Sequence, residues 1–213
     1  MTRILSPIDQ AITRVDRAFS TIFGNRRGRR GSPASAAGPA GELSDEERRH
    51  VAGLMRINHT GEVCAQALYQ GQEVTARRKD VRAAMAEAAD EEDDHLDWCL
   101  KRLNELDDRV SLLNPLWYTG SFLIGAGAGL LGDRWSLGFV AETERQVVHH
   151  LESHLQRLPE NDERSRAIIE QMIIDEGRHA SQAVEQGAAE LPAPIKQGMR
   201  LTAKLMTGLT YRV

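Results

Sequence analysis

The sequence predicts an all-α protein, and three observations support this prediction. Residues that favour helices, such as alanine, leucine, glutamate and arginine, are abundant, whereas aromatic residues make up only 5% of the chain. Apolar residues recur at helical spacing over several long stretches, and no stretch alternates with the period of two that a half-buried strand requires. With 213 residues, of which 41% are hydrophobic, the chain is long enough for one domain with a substantial core. We therefore expect a helical bundle and no sheet.

Charge and cysteine content argue against several other classes of protein. The net charge is -4, so nothing indicates a nucleic-acid partner. The two cysteines, Cys64 and Cys99, are too few for a disulfide scaffold and are expected as reduced core residues in a cytoplasmic compartment. Residues 1–24 lack the continuous apolar run of a secretory signal.

The first 42 residues are expected to form a helix and a linker. Helical spacing of apolar residues predicts an amphipathic helix over 1–24, which either docks on the main body or contacts a membrane surface. Residues 25–42 combine the run Arg26-Arg27-Gly28-Arg29-Arg30 with a Ser/Pro/Ala/Gly stretch, and the lack of periodicity predicts a flexible linker. The arginines either touch anionic lipid or only keep the linker soluble.

The main body, residues 43–213, contains four long predicted helices and a shorter last one. Ser44 and Glu47 have the spacing of a capping box, which starts a helix from about Asp45 to Arg78. Acidic and proline-containing turns separate the later helices. These are expected at about Asp80–Leu106, Ser136–Leu158, Asp162–Ala189 and Ala193–Gly208.

The segment 112–131 differs from the rest of the main body because it contains no charged residue. Its apolar, glycine-rich part after Pro115 is 16 residues long, whereas a membrane-spanning helix needs roughly 20. Two interpretations stay open: a buried crossover helix whose glycines permit close packing, or an interfacial segment flanked by Trp117, Tyr118 and Trp135. Both place an apolar surface beside the bundle.

Two Glu-x-x-His motifs carry the main chemical signal: Glu92-Asp-Asp-His95 and Glu176-Gly-Arg-His179. Residues three apart lie on one face of a helix, so each motif can offer a carboxylate oxygen and an imidazole nitrogen to one metal ion. A lone glutamate precedes each motif: Glu62 lies 30 positions before the first and Glu144 lies 32 positions before the second. This repeat is the ligand arrangement of ferritin-like di-metal carboxylate bundles, whose imidazoles suit iron better than calcium or magnesium.

Neighbouring acids compete for these roles. Glu91 shares a helix face with His95, and the acidic run around it is alternatively a solvated surface; Glu92 is preferred because its spacing matches that of the second motif. Glu142 fits the repeat as well as Glu144 does, so spacing leaves that choice open.

Other polar residues have expected roles outside the ligand set. Asp175 can accept the second ring N–H of a histidine across the bundle, as ligating histidines usually require. His150 can reach the surroundings of the site, and Tyr69 either packs in the core or helps to orient substrate. Exposed or partly exposed positions are expected for the remaining histidines that we considered: His50, His59 and His154.

Together these residues resemble the demethoxyubiquinone hydroxylase family of ubiquinone biosynthesis. The resemblance covers residues 45–213 and rests on Asn58-His59-Thr60-Gly61-Glu62, Glu91-Glu92-Asp93-Asp94-His95-Leu96, Asn114-Pro115-Leu116-Trp117, the glycine-rich stretch 125–132, Glu144 ahead of His149-His150, and Asp175-Glu176-Gly177-Arg178-His179. It favours Glu144 over Glu142, because the family's carboxylate precedes the double histidine by five positions. The six ligands that it implies are Glu62, Glu92, His95, Glu144, Glu176 and His179.

The resemblance implies a ferritin-like four-helix bundle with two iron ions per chain and an apolar crossover segment. The implied reaction is an O2-dependent hydroxylation of the ring of a polyprenylated methoxy-methyl-benzoquinol, with a reductant that the sequence does not identify. Because such a substrate dissolves in membrane, we expect peripheral attachment to the cytoplasmic side of the cell membrane through the segment 112–131. A homo-oligomer or a quinone-biosynthesis complex is compatible with this role.

Two rival functions use the same residues differently. A ferroxidase or iron-storage bundle shares the six ligands but needs a cage with a polar exterior, which the apolar segment argues against. A non-enzymatic helical adaptor predicts no stoichiometric metal.

Overall fold

The structure, a computed structural model, describes residues 6–23, 27–38 and 41–213. Within these ranges it contains seven α-helices, one short 3-10 helix at Pro33–Ser35 and no strand, which confirms the all-α prediction. The α-helices are α1 (Pro7–Ile22), α2 (Asp45–Thr75), α3 (Lys79–Glu105), α4 (Asn114–Leu130), α5 (Asp133–Leu155), α6 (Glu163–Glu185) and α7 (Ala193–Thr210).

Local sequence signals explain where α2 begins and ends. The Ser44 hydroxyl accepts a hydrogen bond from the Glu47 backbone N–H, and the Glu47 carboxylate accepts one from the Ser44 backbone, so the capping box forms as predicted. The helix ends at Thr75, three residues earlier than expected. The backbone N–H groups of Arg77 and Arg78 instead donate to the Asp133 carboxylate, each at 2.9 Å, which ties this turn to the start of α5.

Helices α2, α3, α5 and α6 enclose the core, and α4 crosses on the outside against α2. Glycines permit this close crossing: a Cβ at Gly71 would collide with the backbone of Phe122, and one at Gly125 with the backbone of Leu68. The outer face of α4 stays exposed and apolar, with Leu123 and Leu130 about two-thirds exposed (65% and 66%). No helix in the described part of the chain is long and apolar enough to cross a membrane.

The N-terminal region lies against the bundle. Helix α1 packs Ala18 and Ile22 against the cluster that contains Tyr118, while Ile12 and Phe19 stay exposed. Residues 27–38, for which composition predicts a flexible linker, contact α3 and α6 instead: Ala34 is buried in the main core cluster, and Arg164 donates to its carbonyl oxygen at 2.9 Å. Composition does not indicate this contact, because it depends on side chains far along the chain and not on periodicity.

Two histidines for which the sequence suggested exposure are buried, and this is a correction. His154 has no exposed surface, and its Nδ1 lies 2.8 Å from the Asn58 side-chain oxygen. His59 is also fully buried, because the face of α2 that carries it is covered by the bundle. Cys99 fills the core as expected, whereas Cys64 is half-buried.

Candidate metal centre

Four of the six ligand candidates form one buried cluster. Glu62 on α2, Glu92 and His95 on α3 and Glu176 on α6 each direct one ligand atom to a common point, and these atoms lie within 4.8 Å of one another. His95 Nδ1 is the centre of this group: it lies 2.9 Å from Glu176 Oε1, 3.0 Å from Glu92 Oε2 and 3.8 Å from Glu62 Oε2. The i,i+3 spacing of each Glu-x-x-His motif therefore places its carboxylate and its imidazole on the same face of the helix, as predicted.

The other two candidates border this cluster. His179 Nδ1 lies 3.1 Å from Glu176 Oε2 and 3.4 Å from Glu92 Oε1, so it faces the same carboxylates as His95 from the α6 side. Glu144 on α5 is buried, and its Oε1 accepts a hydrogen bond from the Tyr69 hydroxyl at 2.5 Å. Glu144 and Glu176 are close enough for their charges to interact.

The structure separates Glu144 from its competitor Glu142. The Glu142 carboxylate accepts a hydrogen bond from Gln146 at 2.7 Å and lies 3.5 Å from Lys196 Nζ, so it faces α7. Residues two apart on a helix lie on different faces, and only Glu144 then faces the bundle centre. This geometry agrees with the choice that the family resemblance favours.

Each histidine has an acidic partner on the opposite motif. His95 Nε2 lies 3.1 Å from Asp175 Oδ2, and His179 Nε2 lies 2.5 Å from Glu91 Oε2. Asp175 stands where the sequence suggested, across the bundle from its histidine. The role of Glu91 was missed, although its position immediately before Glu92 matches that of Asp175 before Glu176. Such carboxylates fix the orientation of an imidazole and leave its other nitrogen free for a metal.

Among the ligand candidates, three buried carboxylate oxygens lack a hydrogen bond of good geometry, and they indicate that the residues fit a metal. These atoms are Glu92 Oε1, Glu144 Oε2 and Glu176 Oε1. A buried acceptor without a partner costs roughly 1–3 kcal/mol, and more for a charged group. Divalent cations placed among these carboxylates would satisfy all three oxygens, and the mixed carboxylate and imidazole donors suit iron. The donor set therefore fits a di-metal carboxylate site.

Burial and neighbouring charges shift the pKa values of the carboxylates and imidazoles in this cluster. Burial, with Glu92 nearby, raises the pKa of Glu62, and burial together with Glu176 raises that of Glu144. Burial opposes protonation of the two imidazoles, but hydrogen bonds to their carboxylates outweigh it: the pKa of His95 rises well above 6.5 and that of His179 rises to about 12. Burial would raise the pKa of Glu92, but its bonds to His179 and His95 lower it. Metal binding must therefore displace protons.

Two further predicted residues, Tyr69 and His150, have different contacts. Tyr69 touches it directly through Glu144, and burial beside that acid raises the pKa of its hydroxyl. The ring of His150 packs on His154, with 4.0 Å between the ring centroids, and its Nε2 is buried without a hydrogen bond.

Known proteins similar to this chain agree on one family. The model of the family described as "Ubiquinone biosynthesis protein COQ7" matches residues 49–210. The chain is 57% identical over 212 residues to the 3-demethoxyubiquinol 3-hydroxylase of Xanthomonas euvesicatoria pv. vesicatoria, covering 100% of this chain and 97% of that protein. It is 59% identical over 207 residues to the protein of the same name from Cupriavidus taiwanensis, covering 97% and 100%. Identity to the Ralstonia pickettii protein of that name is 56% over 216 residues, covering 97% and 100%.

Proposed function

The chain belongs to the COQ7 family of ubiquinone biosynthesis proteins, and we propose that it hydroxylates the ring of a 3-demethoxyubiquinol. Similarity over the whole chain to proteins named for that reaction supports the proposal. The observation that carries it is the buried cluster of Glu62, Glu92, His95 and Glu176, because hydroxylation with dioxygen needs a redox-active centre kept away from bulk water.

The centre that we propose contains two iron ions. Glu62, Glu92, His95, Glu144, Glu176 and His179 would hold them. When bound, a ferrous pair would bind and reduce dioxygen and so supply the oxygen atom that the ring receives. Glu92 and Glu176 would be central to this set, because each lies between the two histidines.

The protein itself supplies orientation and exclusion of water. Asp175 and Glu91 hold the outer nitrogens of the two imidazoles, which directs both Nδ1 atoms inward. The Tyr69 hydroxyl donates to Glu144 Oε1 and so limits the positions of that carboxylate. The ligand candidates are at most 4% exposed, so the charges that develop during reaction are stabilised in a dry, preorganised site.

The apolar face of α4 supports two further parts of the proposal: that the substrate is dissolved in membrane, and that the protein attaches peripherally to the cytoplasmic side of the cell membrane. Leu116, Leu123 and Leu130 project from α4 and are 62–66% exposed. Helix α1, which contacts α4, adds Ile12 and Phe19 to the exposed apolar surface. An apolar surface of this kind fits a bilayer boundary, from which a polyprenyl tail can reach the bundle.

A ferroxidase or iron-storage role is not favoured. The relatives are named as hydroxylases, and the exposed leucines of α4 do not suit a polar cage exterior. Gel filtration separates the two functions, because a storage cage elutes at hundreds of kilodaltons, whereas a hydroxylase elutes at a small multiple of 23.7 kDa.

The reaction is tested with Glu176→Ala, which removes a carboxylate between the two histidines. Glu170→Ala is the matched control, because Glu170 is an exposed glutamate on the same helix. We expect cells that depend on Glu176→Ala to accumulate the demethoxy quinone, and the purified variant to lose bound iron. Cells with Glu170→Ala should make normal quinone. Normal ubiquinone in the Glu176→Ala strain would remove the proposed function.

Membrane attachment is tested by flotation with vesicles of phosphatidylcholine and phosphatidylglycerol. Leu123→Glu combined with Leu130→Glu places two charges on the exposed face of α4, and we expect the floating fraction to fall severalfold. Ile174→Glu is the control, since Ile174 on α6 is similarly exposed (64%) but lies on another helix. Equal flotation of both variants would contradict attachment through α4.

A further inference from the structure

The arginine-rich segment before the main domain is in direct contact with the helices that carry the two Glu-x-x-His motifs. We call residues 27–38 the strap. The carboxylate of Asp94 on α3 is its main anchor: Oδ1 accepts the backbone N–H groups of Arg29 and Arg30 at 2.5 and 3.0 Å, and Oδ2 accepts Arg30 Nε at 2.6 Å. Asp94 immediately precedes His95, so the strap attaches beside a ligand candidate.

Several other contacts fix the position of Arg30. Its guanidinium lies 4.7 Å from the centre of the Trp98 ring, and its carbonyl oxygen accepts the Trp98 indole N–H at 3.3 Å. Gly28 permits this approach, because a Cβ there would lie 2.8 Å from Asp94 Oδ1. Further along the strap, Ala34 is buried, and Arg164 on α6 donates to its carbonyl oxygen. The strap is therefore held at several points, and the location of Arg30 does not depend on one ion pair.

Arg30 also reaches the second motif. Its terminal Nη2 lies 2.8 Å from Asp175 Oδ2, the same oxygen that lies 3.1 Å from His95 Nε2. One guanidinium thus joins Asp94 on α3 to Asp175 on α6, and the side chains of both acids are only 5% exposed. Without a cation between them, these two buried carboxylates would be left with part of their charge uncompensated.

We propose that Arg30 is a positioning residue of the metal centre. By fixing Asp175 it sets the orientation of His95, and the docked strap holds Arg30 in place. The inference rests on the metal-binding function proposed above and adds a residue that lies outside the stretch matched by the family model, residues 49–210. Carboxylates that orient a ligating histidine typically change metal affinity by about 10–100-fold when mutated. Arg30 contacts Asp175 and not the histidine itself, so we expect a loss of metal affinity near the lower end of that range.

The test compares Arg30→Ala, Arg30→Lys and Arg29→Ala in the full chain. Arg29→Ala is the matched control, because it removes the same charge from the adjacent residue, whose side chain is 77% exposed and, among the described residues, pairs with Asp90. Each metal-free protein is titrated with Co²⁺, and both the dissociation constant and the d–d absorption spectrum are recorded. The melting temperature of each metal-free protein is measured in parallel.

We expect Arg30→Ala to weaken Co²⁺ binding by about tenfold and to alter the d–d spectrum. Arg30→Lys should restore part of the affinity, because a lysine can keep a positive charge near Asp94 or Asp175. Arg29→Ala should bind within twofold of the wild type with an unchanged spectrum. A spectrum and affinity for Arg30→Ala equal to those of Arg29→Ala would overturn the proposal. A wild-type protein that binds no Co²⁺ would instead remove the proposed metal-binding function and this inference with it.

A measurement on the wild type alone keeps the proposal testable if Arg30→Ala fails to fold. Trypsin cleaves after arginine only when the side chain and flanking backbone are free to enter its active site. We expect cleavage after Arg30 to be at least tenfold slower than in a synthetic peptide of residues 27–38. Cleavage at the peptide's rate would show that the strap is undocked and would overturn the proposal.

Discussion

The two halves of the bundle present the same ligand spacing in different surroundings. We call α2 and α3, with Glu62, Glu92 and His95, the first arm, and α5 and α6, with Glu144, Glu176 and His179, the second arm. His95 of the first arm is fully buried, and its partner Asp175 has a side chain only 5% exposed. His179 of the second arm relies on Glu91, whose side chain is 29% exposed.

The difference follows from what covers each histidine from outside. Arg30 of the strap and the ring of Trp98 cover the His95 side, with 5.3 Å between the His95 and Trp98 ring centroids. On the other side the arginine that pairs with Glu91 is Arg178, which is itself 42% exposed. A repeated motif therefore fixes the positions of ligands along the helices, but it does not give the two histidines equal access to water.

The largest expected effect comes from removing either histidine. His95→Ala should leave a buried gap next to three carboxylates and abolish stoichiometric metal binding, whereas His179→Ala should retain weak binding because water can enter beside the partly exposed Glu91 and take the place of the ligand. Iron per chain after equilibrium dialysis measures both. Equal iron content in the two variants would show that the difference in exposure has no consequence for binding.

Replacing the acidic partner of each histidine should give a second, smaller difference in metal affinity between the two arms. Asp175→Asn is expected to weaken metal binding by about 10–100-fold, since it removes the charge that orients a buried imidazole. Glu91→Gln should cost less, because a partly exposed partner can be replaced by water. Competition with a chelator of known affinity measures both constants. A larger loss in Glu91→Gln than in Asp175→Asn would reverse the ranking of the two arms.

The pH dependence of stability distinguishes His59, a buried histidine outside the ligand set, from the histidines of the two arms. Burial lowers the pKa of His59 to about 4, so between pH 6.5 and 4 the unfolded chain binds a proton that the folded chain does not. Its contribution to stability is present above pH 6.5 and declines below it by up to about 1.4 kcal/mol per pH unit. His179, whose pKa rises to about 12, contributes with the opposite sign: its stabilisation is present below pH 6.5 and is lost as the pH rises toward 12.

His59→Leu isolates this contribution in the metal-free protein. Urea denaturation at pH 7, 6, 5 and 4.5 should show that the free energy of unfolding of the variant falls less steeply with acid than that of the wild type. Parallel curves for the two proteins would mean that His59 takes up its proton in the folded state at its ordinary pKa.

The smallest expected effect belongs to the exposed ion pair of the second arm. Arg178 donates to Glu91 at 3.0 Å and to Asp175 at 3.4 Å from a position open to solvent, and such pairs contribute about 0–1 kcal/mol. Arg178→Ala should therefore change metal affinity by less than threefold, and calorimetric titration with Co²⁺ measures it. A tenfold loss would mean that this exposed guanidinium holds Glu91 and Asp175 as firmly as a buried ion pair would.

The sequence alone determined the helices and the ligand repeat, because both depend on local spacing. Helical periodicity and the Ser44 capping box placed α2 within three residues of its observed end. The i,i+3 relation placed Glu92 beside His95 and Glu176 beside His179 without any knowledge of packing. Spacing could not choose between Glu142 and Glu144, since both fit the repeat.

Only the tertiary structure decided what surrounds those ligands. The pairing of Glu91 with His179, the burial of His59 and His154 and the docking of Arg30 on Asp94 and Asp175 all join residues on different elements. The contacts of the strap with α3 and α6 span 61 or more positions along the chain. Such contacts leave no periodic trace in the sequence, because they depend on which faces the packed helices turn toward one another.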